Sequence, residues 1–155
     1  MSINWPVADV DPVRRLRALA AGVPGAAVTE RVVPAPFEVV WDRLSDFEGD
    51  FTTIQPDMAQ VRVVSRSTEH VELRARGRLG LRAHLHGATR PGWCWLQSRF
   101  LIIGMAAAYE ADGRTRVALT GGIRVPSRAA IVPVGVQRES RKSLDRLEEL
   151  LDPRH

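Results

Sequence analysis

Cysteine is nearly absent. Cys94 stands alone in 155 residues, so no internal disulfide can form and a reducing compartment is the expected setting. Lysine is equally scarce: Lys142 is one of 22 basic residues and the remainder are arginine. Arginine stays protonated to very high pH, which reconciles a pI near 10.4 with a net charge of only +4. No run of like charge occurs; the arginines are scattered from Arg14 to Arg154, the pattern of a compositional habit more than of a polyanion-binding tail. No stretch reaches about 18 apolar residues, so no membrane span is expected. The first basic residues come only at Arg14, after Asp9 and Asp11, and the apolar stretch beyond them is cut by Gly22, Pro24 and Gly25. A secretory signal is therefore not expected, and the cytoplasm is the default location.

What is present suits one folded domain. Apolar residues make up 45% and charged residues 26%, and a chain of this size buries roughly 68 to 70% of its unfolded surface, enough for a core. Asp11-Pro12 supplies an N-cap and a first-turn proline. Val13, Leu16, Leu19 and Ala20 follow as a small apolar stripe ending at Gly22, which predicts a short helix; packing on its own domain is the expected role, with dimerisation or an acidic membrane surface facing Arg14, Arg15 and Arg17 as the alternatives. Thr29 to Val33 reads as a strand. Pro34 and Pro36 end it, because neither donates a backbone hydrogen bond, and proline fits a first helical turn where amides are unpaired anyway. Phe37, Val40, Trp41 and Leu44 then recur at i, i+3, i+4 and i+7, one stripe of a helix, with Glu38, Asp42 and Arg43 on its wet side.

From Met58 to Arg124 the period falls to two. Val61-Arg62-Val63 alternates, and Ser67 to His70 is a turn. Val71, Leu73 and Ala75 oppose Glu72, Arg74 and Arg76; after a turn over 77–80, Leu81, Ala83 and Leu85 oppose Arg82, His84 and His86. Trp93 to Ile102 is a further strand whose inward face is ambiguous, since Trp93 and Trp95 compete with Leu96 and Phe100. Asp112-Gly113 supplies the positive φ of a tight hairpin, and Gly121-Gly122 reads as a bulge or bend. The chain closes with a helix from about Val134 to Leu151, striped by Val136, Ser140, Leu144, Leu147 and Leu151 and stopped at Asp152-Pro153. Strands in one run between helices make this an α+β domain.

The stretch from Thr29 to Phe47 resembles the opening of the START-like, helix-grip superfamily, also called SRPBCC, of birch-pollen-allergen and polyketide-cyclase type proteins. Matching residues are Val32-Val33-Pro34-Ala35-Pro36, Val39-Val40-Trp41-Asp42, Leu44-Ser45-Asp46 and Phe47. The later hairpin adds Asp112, Gly113, Thr115 and Val117, an acidic-Gly-x-Thr-x-Val segment. The resemblance covers roughly Val28 to Leu151 and rests on the order of these features. It implies a curved seven-stranded antiparallel sheet wrapped around the long C-terminal helix, with two short helices after the first strand. The second of these falls between Gly49 and Pro56, with Phe47, Phe51 and Ile54 inward. The N-terminal helix is an addition, so the chain divides into an extension at 1–27, the helix-grip domain at 28–151 and a tail at 152–155.

The same resemblance implies an interior cavity for a hydrophobic small molecule such as a lipid, a polyketide or an aromatic metabolite. Gly135, Gln137 and Ser140 are small or polar where a packed helix would carry leucine, and the cavity is expected there. Its candidate lining is Phe51, Leu73, Leu85, Trp95, Tyr109, Leu119, Gln137, Ser140 and Leu144. A polyketide cyclase or dehydratase is the alternative, with Tyr109, Gln137 and Ser140 as the groups that would position an enolate and water. No cofactor is implied.

Other chemistry finds less support. His84 and His86 share a strand face, but no third ligand is assured and Arg82 lies beside them, so no metal is expected. Cys94 sits between two tryptophans, a setting that leaves a thiol inert. No nucleophile elbow, GxGxxG or Walker pattern occurs. Alternation places Arg62, Arg74, Arg76, Arg82 and Arg116 on the wet side of the strands, which opens a third class, a module binding an anionic partner without a pocket. RNA-binding sheets interleave stacking aromatics, and only Trp93 and Trp95 qualify, so nucleic acid is disfavoured as a partner. The sequence is compatible with a monomer or a homodimer.

Overall fold

A computed structural model of the chain describes residues 11–24, 26–55, 58–77, 80, 82–99, 101–123 and 136–152. Helix α1 (Pro12–Ala21) starts at Asp11, whose carboxylate accepts hydrogen bonds from the amides of Val13 at 2.8 Å and Arg14 at 3.3 Å, the N-cap the sequence predicts. Strand β1 (Thr29–Val33), helix α2 (Phe37–Leu44) and helix α3 (Asp50–Ile54) follow. Then come β2 (Met58–Arg66), β3 (His70–Gly77), β4 (Arg82–Arg90), β5 (Trp93–Gln97), β6 (Leu101–Ala111) and β7 (Arg114–Ile123), and finally helix α4 (Val136–Leu151). Among the described residues no helix is long and apolar enough to cross a membrane.

All seven strands join one antiparallel sheet in the order β1-β7-β6-β5-β4-β3-β2. The first strand therefore pairs with the last, and α2 and α3 carry the chain from one edge of the sheet to the other. Successive strands need only hairpins, and the predicted one is tight. Asp112 and Gly113 form a two-residue loop between β6 and β7, with Gly113 at φ 69°, a region L side chains enter at a cost.

The two faces of the sheet have different covers. On the inner face Leu73, Leu85, Leu96, Met105, Val117 and Leu119 meet α2, α3 and α4 in one apolar cluster. Val40 and Leu44 of α2, Phe51 and Ile54 of α3, and Leu144 and Leu147 of α4 complete it, so these residues of the predicted stripes face the sheet, while the side chain of Val136 lies outside the described residues. On the outer face α1 lays Val13 and Leu16 over Trp93, Ala106 and Ala118, and the Arg15 guanidinium stands 5.7 Å from the Trp93 ring centroid. Gly104 permits this approach: a Cβ there would come within 2.7 Å of Leu16 Cδ1. Arg17 ties α1 to β1 through a 2.7 Å bridge to Glu30, and the hydrogen bond from Arg17 holds the Glu30 carboxyl below its ordinary range.

Two buried threonines of β7 secure the chain that crosses the sheet edge. Thr115 Oγ1 donates to the Ala35 carbonyl and Thr120 Oγ1 to the Ala27 carbonyl, each at 2.7 Å. One expectation fails on this strand. Gly121 and Gly122 form no break but pair with Ile103 and Ile102 inside β7, without a register shift there. A Cβ on Gly121 would lie 3.1 Å from the Ile102 carbonyl oxygen, so glycine serves here as a close approach between neighbouring strands.

Candidate functional site

The inner face gathers most of the candidate lining. Phe51, Leu73, Leu85, Leu119 and Leu144 lie in one cluster, none more than 2% exposed. Phe51 meets Phe47 edge to face, with ring centroids 5.5 Å apart, a favoured aromatic geometry. Along α4 the composition of this wall changes. Leu144 and Leu147 are fully buried, and one turn earlier Ser140 and Ser143 are buried as well. The hydroxyls of the other buried residues Ser45, Thr89, Thr115 and Thr120 all donate to backbone carbonyls, and among the described residues the buried side-chain nitrogens and oxygens without a partner are Trp93 Nε1 and Arg146 Nη1. Gln137 belongs to α4, but its side chain lies outside the described residues, as does Phe100.

Two candidates stand elsewhere. Trp95 packs on the outer face, beneath α1 with Trp93, while Cys94 and Leu96 take the inner side of β5. Because α1 gives the outer face its own apolar cover, both sides of β5 are dry, and alternation cannot choose between them. Tyr109 is 67% exposed, and its hydroxyl donates to Asp112 at 2.9 Å in the hairpin loop. It lies on β6 beyond the inner helices, so it contributes nothing to the interior. Ser143 is the residue that sequence reasoning missed. Its position, three after Ser140 and four before Leu147, was the available signal.

The interior is poor in groups that exchange protons. Among the described residues the buried polar side chains are all serine or threonine; no carboxylate, imidazole or amine is buried. Cys94 is the exception among titratable groups, and burial pushes its thiol up from 9.0 to about 12, against smaller opposing effects from Thr89 and Arg66. The thiol is thus protonated and unreactive in the folded chain. A folded pKa above the unfolded one adds stability that is fully present below about pH 9 and is lost as pH rises towards about 12. Accordingly, iodoacetamide at pH 8 should label Cys94 at least about tenfold more slowly in the native protein than in urea. Equal labelling rates in a mass-spectrometric time course would refute the burial.

On the outer face, beyond the reach of α1, the strands β2, β3 and β4 present a different surface. Arg62 stands opposite Arg74, and Arg74 opposite His84; Gln60 stands opposite Arg76, and Arg76 opposite Arg82. These six residues line an open depression of about 630 Å³. His84 Nε2 contacts Glu72 Oε1, and the His84 and His86 rings are 6.4 Å apart. Among the described residues no three His, Cys, Asp or Glu side chains converge as they would to hold a metal. Arg116 does not join this surface, being bridged to Glu110 on β6 at 2.7 Å.

No protein-family profile and no curated protein matches the chain. Solved structures do. A START superfamily protein from Mycobacterium smegmatis is 17% identical, with a TM-score of 0.53 over 83% of this chain and 95% of that one. A protein from Thermus thermophilus is 19% identical, with a TM-score of 0.56 over 80% of this chain and 94% of its own. The Zhui aromatase/cyclase from a Streptomyces species is 15% identical, with a TM-score of 0.56 over 83% of this chain and 96% of its own. At such identities the likeness speaks for architecture alone. Together with the strand order and the gripped α4, it gives the chain the START-like, helix-grip fold.

Proposed function

We propose that this chain binds a mainly apolar small molecule between the inner face of the sheet and the first turns of α4, with Ser140 and Ser143 holding its polar atoms. The observation that carries this reading is the pair of buried serines, Ser140 and Ser143, one turn before Leu144 and Leu147 in an otherwise apolar wall. Ligand pockets have this composition, apolar surface with a few placed polar groups. The alternative, a cyclase or dehydratase, needs a general acid or base within hydrogen-bond reach of the reacting atoms. With Tyr109 at the hairpin and no buried carboxylate or imidazole among the described residues, binding without turnover is the better-supported reading.

Native mass spectrometry of the purified protein, followed by organic extraction, tests it. The expected result is a stoichiometric apolar adduct. Ser140→Leu should fill the space and cut uptake of the extracted compound at least about tenfold while leaving the melting temperature equal or higher. Ser140→Ala should cost about three- to tenfold, the worth of one ordinary hydrogen bond. The reading fails if there is no adduct and hydrophobic fluorescent probes are not taken up.

A further inference from the structure

We infer that the outer face of β2, β3 and β4 is a second binding site, for a small anion carrying two or more phosphoryl groups. It lies on the opposite side of the sheet from the interior and does not depend on it. Four exposed guanidiniums, from Arg62, Arg74, Arg76 and Arg82, point to this one face, and none has an ion-pair or hydrogen-bond partner among the described residues. The neighbouring carboxylate, Glu72, is engaged by His84 and by the Ser65 hydroxyl. The formal excess of the whole chain is only +4, so four free guanidiniums in one depression concentrate it. Arg62 and Arg74 are direct cross-strand partners, as are Arg76 and Arg82. Like charges placed opposite one another destabilise a sheet, and a bound polyanion turns that repulsion into attraction.

The dimensions select the ligand. Strands about 4.8 Å apart and same-face residues about 6.8 Å apart along a strand put the six lining Cα atoms in a patch of about 10 by 7 Å. That patch spans two or three linked phosphoryl groups. A volume near 630 Å³ falls within the roughly 300 to 1,000 Å³ of small-molecule sites. Guanidinium forks bind phosphate oxygens in pairs, and arginine holds its charge at any physiological pH. A nucleic-acid strand is a poorer fit, because it would want aromatic platforms for its bases, and Trp93 and Trp95 are covered by α1. A lipid bilayer would want apolar side chains to insert, whereas the lining adds only Ala75 and Ala83 to the polar set.

Calorimetric titration at constant ionic strength decides the matter, with inorganic tripolyphosphate as the probe and orthophosphate as its comparison. Tripolyphosphate should bind one-to-one and at least about tenfold more tightly than orthophosphate. Arg74→Gln and Arg76→Gln should each weaken it by about tenfold, as expected for a lost charge-assisted pair. Both variants should melt, without ligand, at or above the parent temperature because a like-charge contact is relieved, which separates lost binding from lost folding. Arg141→Gln, an exposed position on α4, should change nothing. The inference is overturned by equal affinity for both phosphates, by an equal loss in Arg141→Gln, or by a single-stranded oligonucleotide that outcompetes tripolyphosphate.

Discussion

Gly87→Ala should melt about 10 °C or more below the parent, and Gly87→Val should yield little folded protein. A Cβ at Gly87 would lie 1.8 Å from the carbonyl oxygen of Trp95, 2.8 Å from its carbonyl carbon and 3.0 Å from Leu96 Cα. All three are backbone atoms. Gly87 pairs with Leu96 on β5 and with Val71 on β3, so the clash cannot be relieved by a rotamer change; a strand has to move. Overpacking that side chains can absorb costs about 1 to 3 kcal/mol, and a shift of paired backbone lies at or above the top of that range. For a domain of this size each kcal/mol moves the melting temperature by roughly 2 to 4 °C. Gly113 provides the contrast. Its Cβ would meet nothing within 4 Å, so Gly113→Ala carries only the left-handed backbone penalty of about 1 to 2 kcal/mol. A circular dichroism melt of both variants checks the order. If Gly87→Ala melts within 2 °C or so of the parent, β4 and β5 do not approach as described.

The sequence made the inner half of the domain readable, because only one side of β3 and β4 is dry. Val71, Leu73 and Leu85 are buried while Arg74, Arg76, Arg82 and His84 are exposed, and alternation alone assigns them. The stripes of α2 and α4 were legible for the same reason: each helix has one face on the sheet and one in solvent. Legibility ends where a second cover intervenes. Beneath α1, β5 is dry on both sides, so Trp93 and Trp95 present the same pattern as Cys94 and Leu96. Tyr109 exposes another limit. Ile103, Met105, Ala107 and Tyr109 continue one alternation along β6, and only the last is exposed; periodicity tells which side a residue takes but not where the covering helices stop. The arginine surface was legible as a wet face, yet its convergence depends on register. A slip of one residue would send Arg74 and Arg76 to the opposite side. Gly87 was silent for a related reason, since its neighbour Trp95 is close through pairing with another strand and not through sequence.

Leu144→Ala should cost about 2 to 5 kcal/mol, the range for removing a buried leucine and leaving a cavity, and should lower the melting temperature by about 10 °C. Leu144 is fully buried and belongs to the cluster that holds α4 on the inner face. The helix is also bridged from β1, where Arg31 Nη1 reaches Asp145 at 2.7 Å and Glu148 at 3.5 Å. Those contacts are exposed and contribute little, so packing alone sets the loss. With Leu147 a turn away and Phe51 and Leu119 in the same cluster, the space vacated is apolar, and apolar cavities stay dry and accept small apolar guests. Added benzene should therefore restore part of the lost stability, by mass action on the folded state. The variant also bears on the interior ligand. Enlarging the wall at Leu144 should strengthen uptake of a hydrophobic probe even as the protein weakens, whereas Ser140→Leu should weaken uptake without weakening the protein. Opposite signs at two positions one turn apart distinguish a ligand space from ordinary packing, for which probe uptake would be nil in the parent and unchanged by Ser140→Leu. Thermal melts with and without probe read both quantities at once, and a Leu144→Ala protein that melts with the parent would mean that α4 is not gripped at this position.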